Sequence, residues 1–320
     1  MTGSPPDHRT TGVSGPGGSP VPGPSLGHRR RPVERGIRIF LATCGVLSIL
    51  ITAGIIATLA FEAVEFFRQV PIWGFLTGTK WSALIQPKTY GVLPLVTGTL
   101  MIAGLSALVG VPLGVGTAIY LSEYARPRVR NTLKPILEIL AGVPTVVLGY
   151  FALTFVTPVV IRWLFPGTGF YNSLSAGVVV GVMIVPIIAS VSEDAMTAVP
   201  RALREGAYGL GAGRMTVATR VVVPAALSGI MASIILGLSR AIGETMIVAI
   251  AAGFRPNMCA NPLEGCQTLT GFIVEASIGD TPQTSIDFKA IFAVGVVLFL
   301  MTLVLNVASQ RLVRRYRQVY

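Results

Sequence analysis

The sequence has few charged residues: Asp, Glu, Lys and Arg make up 12% of its 320 residues, whereas hydrophobic residues make up 52%. Mean hydropathy is +0.70, far above that of a soluble domain. Among the charged residues the acidic ones are in the minority, 14 against 25 basic ones, which gives a net charge of +11. Such a charge can indicate nucleic-acid binding, but here the basic residues collect in short segments between apolar runs. We therefore predict an integral membrane protein that contacts lipid and binds no nucleic acid.

Residue types that support catalysis or metal binding are also scarce. The two histidines, His8 and His28, lie near the N-terminus, and the three cysteines do not have metal-ligand spacing. The sequence contains no GxxxxGK[ST] phosphate-binding loop. We therefore predict no catalytic residue, no metal site and no cofactor, so any ATP hydrolysis has to come from another chain.

The chain divides into a polar tail and an apolar remainder. Residues 1–36 are rich in Gly, Pro and Ser and end in a basic cluster, which predicts a disordered cytoplasmic tail. The tail is too polar, and the next apolar run too long, for a cleaved signal peptide. Residues 37–320 are predicted to form one transmembrane domain with apolar stretches near the roughly 20 residues that span a bilayer. These stretches are 39–61, 93–121, 136–161, 176–192, 225–253 and 291–309.

The predicted fold class is therefore an all-α membrane protein with six transmembrane helices. The second stretch contains Pro94 and Pro112 with several glycines. Proline inside a helix kinks or breaks it, so a division of this stretch, giving seven helices, stays open.

The distribution of basic residues predicts the orientation. Lys and Arg crowd into the N-terminal tail and into residues 126–134, 201–220 and 311–317. The loops on the other side hold few, namely Arg68, Lys80, Lys88, Arg162 and Arg255. Because cytoplasmic loops carry the excess of positive charge, both termini are predicted to be cytoplasmic.

Two longer loops, 62–92 and 254–289, are predicted on the outer side, where a partner that delivers substrate has to dock. Cys259 and Cys266 lie in the second loop. In an oxidising exterior, a disulfide that stiffens this loop is plausible, and two free thiols are the alternative.

Residues 205–224, EGAYGLGAGRMTVATRVVVP, form a polar segment between two apolar runs. A short helix is predicted to begin just before this segment and to continue into it. A proline suits the first turn of this helix, apolar residues recur on one of its faces, and a glycine is placed to end it. The residues concerned are Pro200, Leu203, Ala207, Leu210 and Gly211. Because this helix has one apolar face, it can insert into a groove of a partner protein. The alternative interpretation of the segment is an ordinary basic membrane loop without a docking role.

The spacing of this segment resembles the cytoplasmic signature of ABC-importer permeases, Glu-Ala-Ala, three residues, Gly, nine residues, then Ile-x-Leu-Pro. Glu205, Ala207, Gly211 and Pro224 match its acid, second Ala, Gly and Pro, and the departures are small or apolar, at Gly206, Val221 and Val223. The resemblance implies the type I ABC importer permease fold. It also implies that residues 193–224 couple to a separate ATPase subunit.

The fifth apolar stretch contains two charged residues, Arg240 and Glu244, which are therefore predicted to lie within the membrane. A spacing of four residues places them on one helix face, while small residues recur on a neighbouring face that another helix can approach closely. That row is Gly229, Ser233, Gly237 and Ala241. From charge alone, the two residues either neutralise each other as a structural pair or place a guanidinium on the path of an oxyanion.

The run SRAIGETMIVAIAAG resembles the corresponding helix of the phosphate-specific ABC permeases, closer to the PstC subunit than to PstA. The stretches FLTGTKW, YGVLPLVTGTL, LAGVPTVVLGY and TLTGFIV agree with the same subunit. In that family this Arg and Glu are placed on the phosphate path, which implies the same for Arg240 and Glu244. Glu138 is interpreted as an interfacial residue that pairs with Arg128 or Arg130.

The resemblance implies a permease subunit for inorganic phosphate in the plasma (inner) membrane of a prokaryote, and not an enzyme. Its implied partners are a second, PstA-like permease, two copies of a cytoplasmic ATPase and an extracytoplasmic phosphate-binding protein. Another oxyanion, such as molybdate, sulfate or phosphonate, stays open because an arginine does not identify its ligand. An ion-coupled secondary transporter fits less well, since we find no inverted repeat of broken helices.

Overall fold

The computed structural model describes residues 32–83, 86–279, 282 and 284–316. The described residues divide into two compact units, one that ends at Gly54 and one that begins at Ile55. Most of the predicted disordered tail, residues 1–31, lies outside the described residues. Residues 32–36 of that predicted tail already belong to the first helix, α1, which has Pro32 at its start, where the missing N–H of proline costs nothing.

Most of the described residues are helical. Three stretches of π-helix continue or join α-helices, at Tyr120–Tyr124, Ala152–Ile161 and Ala218–Val222. The α-helices are α1 (Pro32–Phe67), α2 (Ile72–Thr77), α3 (Leu93–Ile119), α4 (Pro127–Ala141), α5 (Thr145–Phe151), α6 (Arg162–Leu164), α7 (Ser173–Thr197), α8 (Arg201–Gly209), α9 (Arg214–Val217), α10 (Val223–Ala225), α11 (Leu227–Ile242), α12 (Met246–Ala251), α13 (Leu269–Ile278) and α14 (Ile286–Tyr316).

Six membrane spans are present in the described residues when one bent pair is taken as a single span. The straight ones are Glu34–Phe67, Leu93–Tyr124, Thr145–Leu164, Ser173–Thr197 and Ile286–Arg311. The bent span joins Arg214–Ala225 to Leu227–Ile242 at 73°. The six-span prediction is confirmed. The seven-helix alternative is wrong, because α3 runs through Pro112 without a division.

The predicted third span, 136–161, is wrong in its bounds. Its first residues belong to α4, a separate amphipathic helix with no buried residue. Gly142 ends α4, and Pro144 precedes α5, which begins the true span at Thr145. A proline disfavours helical geometry in the residue before it, and Pro144 itself has non-helical backbone, with ψ of 130°, so α4 and α5 are separate helices.

The predicted fifth span, 225–253, is also not one helix. α11 ends at Ile242, Gly243 and Glu244 lie outside any helix, and α12 begins at Met246. The span is thus interrupted at Gly243, two residues before Thr245, which occupies the N-cap position of α12 without a side-chain capping bond. Arg240 and Glu244 therefore lie on either side of the end of α11.

α7 forms the centre of the second unit, with side chains buried along most of its length. Two glycines of α3 allow the close approach: a Cβ added at Gly110 would lie 2.7 Å from the carbonyl oxygen of Gly181, and one at Gly114 would lie 2.7 Å from Ile188. The predicted row of small residues on α11 faces α7, where Ser233 and Ser192 share a 2.6 Å hydrogen bond. Small residues at such positions allow helices to pack closely in a membrane.

A two-stranded antiparallel sheet, β1 (Trp81–Ser82) and β2 (Thr89–Tyr90), lies between α2 and α3. Asp287 at the start of α14 holds this hairpin, accepting from Lys88 Nζ at 2.5 Å and Tyr90 Oη at 2.7 Å. Burial and the neighbouring Asp287 carboxylate raise the pKa of Tyr90. Tyr90 therefore stays protonated and continues to donate its hydrogen bond at physiological pH.

Candidate coupling and transport sites

Glu244 is a buried helix cap. Its side chain is 6% exposed, and its Oε1 accepts from the backbone N–H groups of Met246, at 3.1 Å, and Ile247, at 3.3 Å. Its own carbonyl oxygen accepts from Thr270 Oγ1 at 2.8 Å. The carboxylate thus satisfies the first N–H groups of α12, which otherwise have no partner inside the helix.

Arg240 is exposed at the last turn of α11. Among the described residues no carboxylate forms an ion pair with it, Glu244 included. The predicted pair on one helix face is therefore wrong, because the helix ends between the two residues and Glu244 turns to the backbone of α12. A guanidinium in this state keeps all its donors available for an anion.

The signature segment contains the short helix α8, Arg201–Gly209. Glu205 is exposed, and Ala207 is half-buried against an apolar cluster that includes Met196 and Val217. Gly211 follows with φ of +82°, a left-handed conformation that glycine adopts without strain. Pro224 lies farther on, within α10, next to the 73° bend.

Sequence reasoning missed a buried carboxylate that organises the same end of α7. The side chain of Glu193 is fully buried and pairs with Arg130 and with Lys134 Nζ, the latter at 2.9 Å. Hydrogen bonds to Asp194 and Glu193 raise the pKa of Lys134. The predicted partner of Arg130 was Glu138, which is instead exposed and forms no ion pair within the described residues. Two adjacent acids, Glu193 and Asp194, directly after the apolar stretch 176–192 are the sequence signal for this site.

Cys259 and Cys266, which are seven positions apart in the sequence, are joined by a disulfide. Cys266 is buried and its sulfur lies 2.8 Å from Ser173 Oγ at the start of α7. Thr268 then caps α13, its hydroxyl accepting from Gly271 N at 3.0 Å. In the described residues no group of three or more His, Cys, Asp or Glu side chains is arranged to hold a metal ion.

Residues 110–318 match the family model described as "Binding-protein-dependent transport system inner membrane component". The chain belongs to this family. A "Probable ABC transporter permease protein YqgH" of Bacillus subtilis is 35% identical over 268 residues, 83% of this chain and 86% of that protein. A "Phosphate transport system permease protein PstC 1" of Mycobacterium tuberculosis is 37% identical over 247 residues, 71% of this chain and 73% of that protein. The resemblance to PstC-like permeases is thereby confirmed.

Solved ABC transporters have the same fold as this inner membrane component. A bacterial transporter involved in the import of alginate superposes with a TM-score of 0.62 at 16% identity, covering 90% of this chain and all of that one. The MetNI methionine transporter gives 0.56 at 20% identity, covering 70% of this chain and 96% of that one. At such identities the likeness concerns the fold alone, and that fold is the predicted type I importer permease. The chain is a transport permease subunit of an ABC importer in the inner membrane.

Proposed function

We propose that this permease subunit translocates inorganic phosphate. The observation that carries the proposal is Arg240, a guanidinium in a membrane span with no carboxylate partner among the described residues, in a chain whose relatives are named phosphate transport permeases. An unpaired charge there is costly unless it lines an aqueous path or meets a counter-ion. A phosphate oxyanion supplies that counter-ion, and the planar guanidinium can donate two parallel bonds to it.

Glu244 has a different part in this proposal. Because its carboxylate caps α12, it stabilises the break in the helix that follows Arg240, so it acts on Arg240 through the backbone and not through side-chain contact. We assign it to the substrate path as a positioning residue for Arg240, without direct contact to phosphate.

The remaining components follow from the proposed function. A second, PstA-like permease completes the path, and two copies of a cytoplasmic ATPase supply the energy. An extracytoplasmic binding protein delivers phosphate to the loops 62–92 and 254–289. The excess of basic residues at 126–134, 201–220 and 311–317 supports a cytoplasmic location for α8 and both termini, and an exterior one for the disulfide of Cys259 and Cys266.

In the coupling step, α8 inserts into a groove of the ATPase, with Glu205 exposed toward it and Ala207 facing the membrane domain. Gly211 turns the chain after the helix, and Pro224 introduces the bend of the following span. Closure of the two ATPases on ATP then opens the path to the binding protein by alternating access.

The decisive experiment is uptake of labelled phosphate by proteoliposomes that contain the complete transporter. We expect ATP hydrolysis to be stimulated by the phosphate-loaded binding protein and uptake to require the ATPase. Stimulation by sulfate- or molybdate-loaded protein alone would assign another oxyanion, and uptake without the ATPase would identify a secondary carrier.

The same vesicles test Arg240. We expect Arg240→Ala to abolish uptake and Arg240→Lys to rescue it poorly, because lysine keeps the charge but loses the planar fork. Arg128→Ala removes an exposed arginine of α4 that forms no ion pair within the described residues and is the matched control, expected to transport normally. Normal uptake by a fully assembled Arg240→Ala complex would exclude Arg240 from the path.

A further inference from the structure

The coupling helix α8 has few attachments to the rest of the protein. Of its nine residues only Arg204 and Ala207 are partly buried, and the others are exposed. Ala207 offers a single methyl group to the apolar cluster at this end of α7. The other attachment of α8 is therefore the side chain of Arg204.

Arg204 reaches across to the C-terminal end of α7. Its Nη2 donates to the carbonyl oxygen of Met196 at 2.7 Å, and its Nη1 donates to that of Val199 at 2.6 Å. These carbonyls belong to the last turn of α7 and the residues just beyond it, where helix carbonyls lack intrahelical donors and carry partial negative charge. The guanidinium thus caps α7 from the coupling helix.

The same guanidinium also holds the end of α3. Its Nη2 lies 3.2 Å and its Nε 3.4 Å from Oε1 of Glu123, in the π-helical stretch that continues α3. The two side chains are 17% and 7% exposed, so water screens this pair less than a surface pair. Ser122 Oγ donates to the same carboxylate oxygen at 2.9 Å and fixes its orientation.

We propose that Arg204 is the positioning residue that transmits movement of the coupling helix to the spans α3 and α7. The inference rests on the proposed function, since it assumes that an ATPase moves α8. Apolar contact through one alanine is non-directional, whereas a guanidinium with acceptors on two spans resists displacement in several directions. Without Arg204, α8 follows the ATPase while α3 and α7 lag behind, so ATP is hydrolysed without transport.

The test is the number of phosphate ions transported per ATP hydrolysed by the complete transporter in proteoliposomes. We expect Arg204→Gln to assemble and hydrolyse ATP while this ratio falls about fivefold or more, the lower end of the coupling between linked sites. Arg128→Gln is the matched control: it removes an exposed arginine of α4 that forms no ion pair within the described residues, and its ratio should match the wild type.

Two further variants keep the inference testable should Arg204→Gln fail to assemble. Glu123→Gln leaves the α7 carbonyls in place and should lower the ratio less than Arg204→Gln. Arg204→Lys, which can serve fewer acceptors at once, should fall between wild type and Arg204→Gln. A wild-type ratio in assembled Glu123→Gln and Arg204→Lys complexes, or in Arg204→Gln itself, overturns the inference. Failure of the wild-type transporter to take up phosphate instead overturns the proposed function.

Discussion

The relation between Arg240 and Glu244 can be measured by a double-mutant cycle. Glu244 accepts two backbone N–H bonds, and caps of this kind stabilise proteins by about 0.5 to 2 kcal/mol. Glutamine retains the accepting oxygen, so Glu244→Gln should cost less than about 1 kcal/mol, whereas Glu244→Ala should cost about 2 kcal/mol. Arg240→Gln should be nearly neutral for stability because this side chain is exposed and has no acidic partner among the described residues.

The coupling energy between the two positions should therefore be below about 0.5 kcal/mol, the additivity expected of independent sites. A buried ion pair predicts a different pattern, since removal of either partner then costs about 3 to 5 kcal/mol and the double mutant recovers part of that loss. Denaturant unfolding of the detergent-solubilised subunit, followed by circular dichroism, supplies the four free energies. Equal losses for Glu244→Gln and Glu244→Ala, with a coupling energy above about 1.5 kcal/mol, would refute the capping assignment.

Three other predictions address the ion pairs of Glu193, the signature segment and the topology. Glu193→Leu should destabilise the subunit by about 1 to 2 kcal/mol, less than for a fully buried pair, because its partners are 36% and 30% exposed and can turn to water. Denaturant unfolding measures this loss of stability. Asp194→Ala is the control: the Asp194 side chain is 63% exposed, so the free energy of unfolding should change little. Gly211→Ala should strain the left-handed turn by about 1 kcal/mol. The variant should still accumulate in the membrane, but less ATPase should co-purify with it. An unchanged amount of co-purified ATPase would contradict this prediction. An impermeant thiol reagent should label the half-buried Cys259 in intact cells only after reduction of its disulfide with the buried Cys266, and labelling that needs a permeabilised membrane would reverse the topology.

Several features of the fold were predictable from local sequence. Apolar runs of sufficient length predicted the spans, because only closed backbone hydrogen bonding is stable in lipid and a helix provides it within one segment. Pro200, the apolar face and Gly211 predicted a short helix in the signature segment, and the structure has α8 there. Each of these signals acts over neighbouring residues, so the surrounding fold was not needed to read them.

The errors arose where one stretch of apolar sequence fits two structures. Residues 136–141 are apolar enough to begin a span, yet they complete the amphipathic helix α4, because Gly142 and Pro144 interrupt the backbone before Thr145. Hydropathy averages over a window and cannot place such a boundary. The prediction of the fifth span failed for the same reason. The sequence alone did not show that Gly243 ends α11 instead of lying inside a continuous helix.

The sequence by itself determined the class of protein, the number of spans and the position of the short helix α8, because these depend on composition and on periodicity along the chain. The tertiary structure decided which charges meet. Glu193 with Arg130, and Arg204 with Glu123, are 63 and 81 residues apart, so no local spacing could pair them. Arg240 and Glu244 are four residues apart and were expected to share a helix face, yet the end of α11 separates them and the N–H groups of α12 bind the carboxylate. A buried charge is stabilised by the donors that the fold brings to it, and nearness in sequence does not select them.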